Sequence, residues 1–173
     1  MTNESAAHVT TPDQPVPTDD HPGVIARPPR IAYLLLGIGA ILERLSPWPL
    51  LPTGSMAVSR YGLGAGLAVI GLIVMTHALR AFRKAGTNVE TPKPATTLVT
   101  DGIYARSRNP MYVSLLLLFA AIAVFANSAW FALLLVIYLV MLRFGVVARE
   151  ERYLERKFGE TYDAYRAHVR RWL

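Results

Sequence analysis

The sequence predicts an all-α integral membrane protein with about four transmembrane helices, the last two forming a helical hairpin, and a C-terminal amphipathic helix on the cytoplasmic face. Three observations carry this. Of the 173 residues, 53% are hydrophobic and only 17% charged, a balance that suits a chain whose apolar surface meets lipid. Apolar runs of helix length recur from Ile31, Tyr61, Met111 and Ala129. Finally, Arg27, Arg30, Arg80, Arg83, Lys84, Lys93, Arg106 and Arg108 all fall on one side of these runs. The stretch between Ser46 and Ser59 and the turn at Asn127-Ser128 hold no Lys or Arg. Positive charge gathers on the cytoplasmic side, so both termini face the cytoplasm of a multi-pass inner or plasma membrane protein.

Residues 1–29 are polar and carry Pro12, Pro15, Pro17, Pro22, Pro28 and Pro29. They read as a disordered tail, because they have too little apolar surface to offset the entropy of ordering. The remaining residues, 30–173, form one membrane domain with helices at about 31–50, 58–83, 110–126, 129–158 and 161–171. The first helix meets Glu43 and Arg44 near its far end. Ionisable residues at membrane depth are functional candidates, and the simpler reading is that these two snorkel at the interface beside Trp48. In the second, Gly62 and Gly66 stand in GxxxG spacing, which predicts the close approach of another helix, and His77 suits a structural hydrogen bond near the inner end. From Met111 to Leu142 the chain is apolar apart from Asn127-Ser128. Each half is roughly 16 residues, or roughly 24 Å of helix, short of the ~30 Å hydrocarbon core. The second arm therefore extends through Val147. Beyond it, Tyr162, Tyr165, Val169 and Trp172 recur at helical spacing after Gly159. They predict an amphipathic helix on the inner leaflet, with Arg166, Arg170 and Arg171 meeting headgroups.

Composition also excludes chemistry. With no cysteine there is no disulfide framework and no thiolate metal site, and His8, His21, His77 and His168 are too scattered to suggest zinc. A net charge of +6 sits in residues flanking apolar runs, so anionic lipids are simpler partners than nucleic acid.

The loop LVTDGIYARSRNPMYVS, from Leu98 to Ser114, stands out against these apolar surroundings. Asn109-Pro110 reads as a helix start, with asparagine able to cap free N–H groups and proline suited to the first turn. The backbone N–H groups of Met111 and Tyr112 are then placed to meet an anion. Across the membrane domain, Glu150-Glu151 stands at the inner end of the last span, near this loop by topology. The alternative for the pair is a solvated helix face matched to nearby arginines.

Together, LVTDGIYARSRNPMY and EERYLERKFGETYDAY resemble the isoprenylcysteine carboxyl methyltransferase family of membrane methyltransferases, related to the phospholipid methyltransferases, over about residues 82–173. The resemblance implies an all-helical bundle that binds S-adenosylmethionine on its cytoplasmic side and admits its acceptor sideways from the bilayer. It places cofactor contacts on Thr96, Thr97, Leu98 and Val99, on Tyr104, on Asn109, Pro110, Met111 and Tyr112, and on Glu150 with its neighbour Glu151. Arg108, Asn109 and Tyr112 become the catalytic candidates.

That assignment is chemically sensible. A carboxylate such as Glu150 can accept both hydroxyls of a ribose, Tyr104 and Leu98 offer apolar surface to adenine, and Arg108 suits the methionine carboxylate. In-line methyl transfer needs alignment and exclusion of water more than an acid–base pair, and no metal is implied. The acceptor is small or lipophilic, with a carboxylate, thiol or amine nucleophile.

This chain departs from the family pattern where Asn109 replaces a histidine and Ser114 a glycine. Val146 stands where the prenylcysteine enzymes place an acceptor-binding arginine, so Arg143 or Arg149 is the substitute candidate. Two other readings are an NADPH-dependent membrane sterol reductase, a class that shares an RHPxY-type motif, and a non-catalytic membrane module. Against the first, the reductases place an acidic residue soon after the tyrosine, where this chain has Ser114-Leu115, and they lack the Glu-Glu pair.

Overall fold

A computed structural model describes residues 23–24, 26–52, 57–86 and 95–172. Helix α1 spans Pro28–Leu45, α2 Ala57–Ala85, α3 Pro110–Ala126, α4 Ala129–Val140, α5 Ala148–Phe158 and α6 Glu160–His168. A π-helical segment, Met141–Val147, joins α4 to α5 without a break, and a 3₁₀ turn covers Gly102–Ala105. No strand occurs among the described residues; the one pairing outside helices is an isolated bridge between Pro49 and Ser128.

Most boundaries follow from local chemistry. Pro28 and Pro29 open α1 instead of closing the tail, since proline costs nothing where the first N–H groups have no helical partner. Pro28 and Pro29 of the tail expected over 1–29 thus belong to α1, and its residues 1–22 and 25 lie outside the described ones. α1 stops at Leu45, short of the expected 50, because Ser46 precedes Pro47 and the α conformation is disfavoured there. Asn127 ends α3 in the left-handed region at φ 50°, a conformation asparagine tolerates, and the Ser128 hydroxyl caps α4 by accepting from the Phe131 N–H. Gly159, at φ +49°, turns the chain between α5 and α6, and α6 ends at His168, three residues before the expected end.

α2 packs along α3, α3 against α4, and α1 against α4 and α3. The core they share holds Ile31, Leu35, Phe119, Phe131, Leu134, Tyr138, Leu142 and Val146. Close approach is made by glycines other than the expected pair. A Cβ on Gly39 would meet the Phe131 ring at 2.5 Å, one on Gly64 the Phe125 ring at 2.8 Å and one on Gly71 the Leu118 side chain at 3.1 Å. Gly62 and Gly66 have nothing within 4 Å of such an atom, so the GxxxG spacing points away from the bundle. Gly64, Gly71 and the buried Ala78 form the contact stripe instead, at the seven-residue repeat that keeps one helical face toward its neighbour.

Outward, α1, α2 and α4 present Leu34, Ile41, Val58, Leu63, Ile70, Ile73, Val136 and Val140, an apolar surface too continuous to stand in water. Val58–Ala85 and Ala129–Phe158 are long and apolar enough to cross a membrane. The second rod has 30 residues and measures about 45 Å against ~30 Å of hydrocarbon. Its apolar part ends at Val147, and α5, AREERYLERKF, emerges as a polar extension beyond the spanning segment.

At the opposite end, Asn127 ties the loop after α1 to the α3–α4 turn. Its side chain accepts from the Leu51 N–H at 2.9 Å and donates to the Leu51 carbonyl at 3.0 Å, and its carbonyl accepts from the Leu50 N–H at 2.9 Å. The Ser128 hydroxyl donates to the Glu43 carboxylate, and Trp48 meets Trp130 edge to face with centroids 5.2 Å apart. Glu43 therefore ties α1 to the α3–α4 turn.

Candidate functional site

The polar end of the bundle brings together the 98–114 loop, α5 and the chain that follows α6. The 3₁₀ turn presents Tyr104, buried and stacked at a tilt on Phe82 with centroids 5.3 Å apart. Its carbonyl accepts the Tyr165 hydroxyl of α6 at 2.7 Å. Burial, with Tyr165 and Glu150 adding to it, pushes the Tyr104 phenol far up, so it stays neutral.

Asn109 is the N-cap of α3 and Pro110 opens the helix, as the sequence predicts, but the asparagine side chain does not cap. Its side-chain amide donates to the Arg171 carbonyl at 3.0 Å, while the Asn109 backbone carbonyl accepts from the Tyr112 and Val113 N–H groups at 3.1 Å. The Tyr112 N–H is thus engaged by the chain, which corrects the expectation that it faces an anion. Met111 is half-buried, its carbonyl accepting the Ser114 hydroxyl at 2.7 Å. Ser114 is wholly buried there.

Two carboxylates one residue apart do different things. The Tyr112 hydroxyl donates to Glu150 at 2.7 Å. Burial pushes the Glu150 carboxyl up to about 7; the Tyr112 bond opposes the shift and the Glu151 charge adds to it. Glu151 is taken by arginines: Arg108 Nη2 lies 3.1 Å from Oε1, and Arg171 grips both oxygens, Nε at 3.0 Å and Nη2 at 2.6 Å. Glu151, expected to touch the cofactor, is thereby committed to the protein. Arg171, expected at lipid headgroups, faces inward, and its hydrogen bond to Glu151 holds its pKa up. Arg166 likewise pairs with Asp163 at 2.9 Å and Glu155 at 3.3 Å.

Arg108 is the informative residue. Its side chain is 9% exposed, yet beyond the contact with Glu151 its Nε and Nη1 are buried without a hydrogen-bond partner among the described residues. A buried charged donor left unpaired costs about 1–3 kcal/mol or more. Such atoms suit an acidic ligand group, and S-adenosylmethionine has a carboxylate at one end. With Glu150 and Tyr104 at the same end of the bundle, the residue types present fit that cofactor.

The remaining candidates divide. The loop at 95–99 is held against α5 where the Tyr153 hydroxyl accepts from the Ala95 N–H at 3.1 Å; Leu98 and Val99 are half-buried, and Thr96 and Thr97 are exposed. Arg149 instead donates to the Gly23 carbonyl at 2.8 Å. Arg143 lies exposed over the Phe144 ring, 5.5 Å from its centroid, and Val146 is buried in the core. Neither contact joins these arginines to the Arg108–Glu151–Arg171 group or to the Tyr112–Glu150 pair. Sequence reasoning missed Tyr153, Arg171 and the π segment, of which only Arg171 left a trace, as a basic residue near the end of an amphipathic stripe.

Comparison with known proteins identifies the family of the chain. An uncharacterized protein of Haemophilus influenzae is 41% identical over 63 residues, which are 36% of this chain and the whole of that protein. No solved structure matches. The phospholipid methyltransferase family matches residues 59–161, a stretch that holds α2, the 98–114 loop, α3, the long rod and both glutamates. On that match, over more than half its length, the chain belongs to the phospholipid methyltransferase family of membrane proteins.

Proposed function

We propose that the protein transfers a methyl group from S-adenosylmethionine to a small or lipophilic acceptor that reaches the polar end of the bundle from the bilayer. The observation that carries this reading is the buried Arg108 guanidinium, with Nε and Nη1 unpartnered among the described residues, at the same polar end as the Tyr112–Glu150 pair. When bound, the cofactor supplies an electrophilic methyl group on a sulfonium. Arg108 would hold the methionine carboxylate, and Glu150 the ribose hydroxyls, with Tyr112 fixing its carboxylate. Tyr104, Leu98 and Val99 would cover adenine and exclude water. No general base is required of the chain if the acceptor arrives with an unprotonated nucleophile, so these residues align and dehydrate.

Membership of a methyltransferase family favours this over NADPH reduction. The same architecture supports a four-span arrangement with both termini and the cofactor site cytoplasmic, because the basic flanks gather at that end. Incubating the detergent-purified protein with methyl-tritiated S-adenosylmethionine and a membrane lipid extract should carry label into the organic phase. Arg108→Ala should abolish the transfer. A folded protein that yields no methylated product, by organic extraction for lipids or by chromatography for small amines, would contradict the proposal.

A further inference from the structure

We propose that Arg171 is a positioning residue for cofactor binding: it occupies Glu151 and so leaves Arg108 directed at the cofactor's carboxylate. This rests on the reading that Arg108 meets that carboxylate.

Geometry sets up the relay. Arg171 lies past the end of α6, where the backbone at Val169 turns extended. It is held by its main chain as well as its side chain: the Arg108 N–H donates to the Arg170 carbonyl at 2.9 Å, and the Asn109 amide to the Arg171 carbonyl at 3.0 Å. α6 anchors this strap through Tyr162, which is 1% exposed. Within the cluster Arg171 takes Glu151 side-on with two nitrogens, and Arg108 shares only Oε1 through a single nitrogen.

A carboxylate and a guanidinium left alone prefer the two-point pairing. With Arg171 absent, Glu151 would be free to take a second Arg108 donor, and the pair would be neutral. With Arg171 present, two positive charges face one negative charge, in a place where both Arg108 and Glu151 side chains are about nine-tenths buried. These three groups keep a net positive charge, and two Arg108 nitrogens keep no partner among the described residues. The excess suits an anion, and the strap that supplies it follows α6, far in sequence from the Arg-Asn-Pro motif.

The test uses two ligands that differ in the group concerned. S-adenosylhomocysteine carries the amino-acid carboxylate; 5′-methylthioadenosine has the adenosine and sulfur without it. Both are titrated calorimetrically into the full-length wild type and into Arg108→Ala, Arg171→Ala and Arg171→Lys, with folding checked by circular dichroism. Arg171→Ala should weaken S-adenosylhomocysteine about ten-fold or more, the scale of a lost charge-assisted bond, and leave 5′-methylthioadenosine within about two-fold. Arg171→Lys, which keeps the charge but not the fork, should show a smaller loss with the same ligand selectivity; it decides the matter if the alanine variant fails to fold. Equal loss for both ligands would make Arg171 merely structural and overturn the proposal, as would no loss for either. An Arg108→Ala variant that binds S-adenosylhomocysteine like wild type would refute the carboxylate assignment beneath it. Wild type binding neither ligand would remove the functional reading and this inference together.

Discussion

Glu150 and Glu151 are adjacent in sequence and chemically opposite. Glu151 is neutralised by two guanidinium groups, and Glu150, buried beside a neutral phenol, is held up to about 7. A carboxyl raised above its ordinary value binds its proton more tightly when folded. Its contribution to stability is therefore full below about pH 4.5 and is lost as pH rises through about 7. Hydroxyl donors favour the ionised form, so affinity for S-adenosylhomocysteine should rise about ten-fold between about pH 6 and about pH 8 in calorimetric titrations. Glu150→Gln should bind more weakly with no such slope. In Tyr112→Phe the midpoint should move to higher pH, because the Tyr112 hydrogen bond is what lowers the Glu150 pKa. The sequence singled out the glutamate pair and marked Glu150 through family resemblance. It could not divide the two roles, since the partners of Glu151 come from residues 108 and 171, and only folding brings them together.

Among the elements, helices were legible where composition changes sharply, as at Pro110, at Asn127-Ser128 and at Gly159. The π segment Met141–Val147 was not, because it continues an apolar run with no local signal; π turns often accompany functional sites. The choice of packing glycines was also hidden: Gly62 and Gly66 satisfy the spacing as well as Gly64 and Gly71 do, and only the rotation of α2 decides between them. A pair of substitutions distinguishes the two environments. Gly39→Ala sets a methyl against the buried Phe131 ring and should cost about 1–3 kcal/mol. Gly62→Ala meets open space and should stabilise by about 0.5–1 kcal/mol through helix propensity. Thermal midpoints in one detergent should move in opposite directions.

For the whole molecule, a membrane bundle was legible from apolar runs and the placement of arginines, because bilayer thickness and surface charge constrain every span alike. The docking of the segment after α6 was not, since a stripe carrying arginines reads the same whether it meets lipid headgroups or protein acids. Orientation can be tested directly because the chain has no cysteine. Ser46→Cys in intact cells should react with a membrane-impermeant maleimide, while Ala105→Cys should react only after permeabilisation; the reverse pattern would invert the topology. The central claim is a cofactor site at Arg108 and Glu150, and its most direct measurement is calorimetric titration of the detergent-purified protein with S-adenosylhomocysteine, with NADPH and Glu150→Ala alongside. The account predicts that S-adenosylhomocysteine binds, that NADPH does not, and that the variant loses about 1.5–3 kcal/mol of binding free energy. NADPH binding alone, or unchanged affinity in Glu150→Ala, would contradict it.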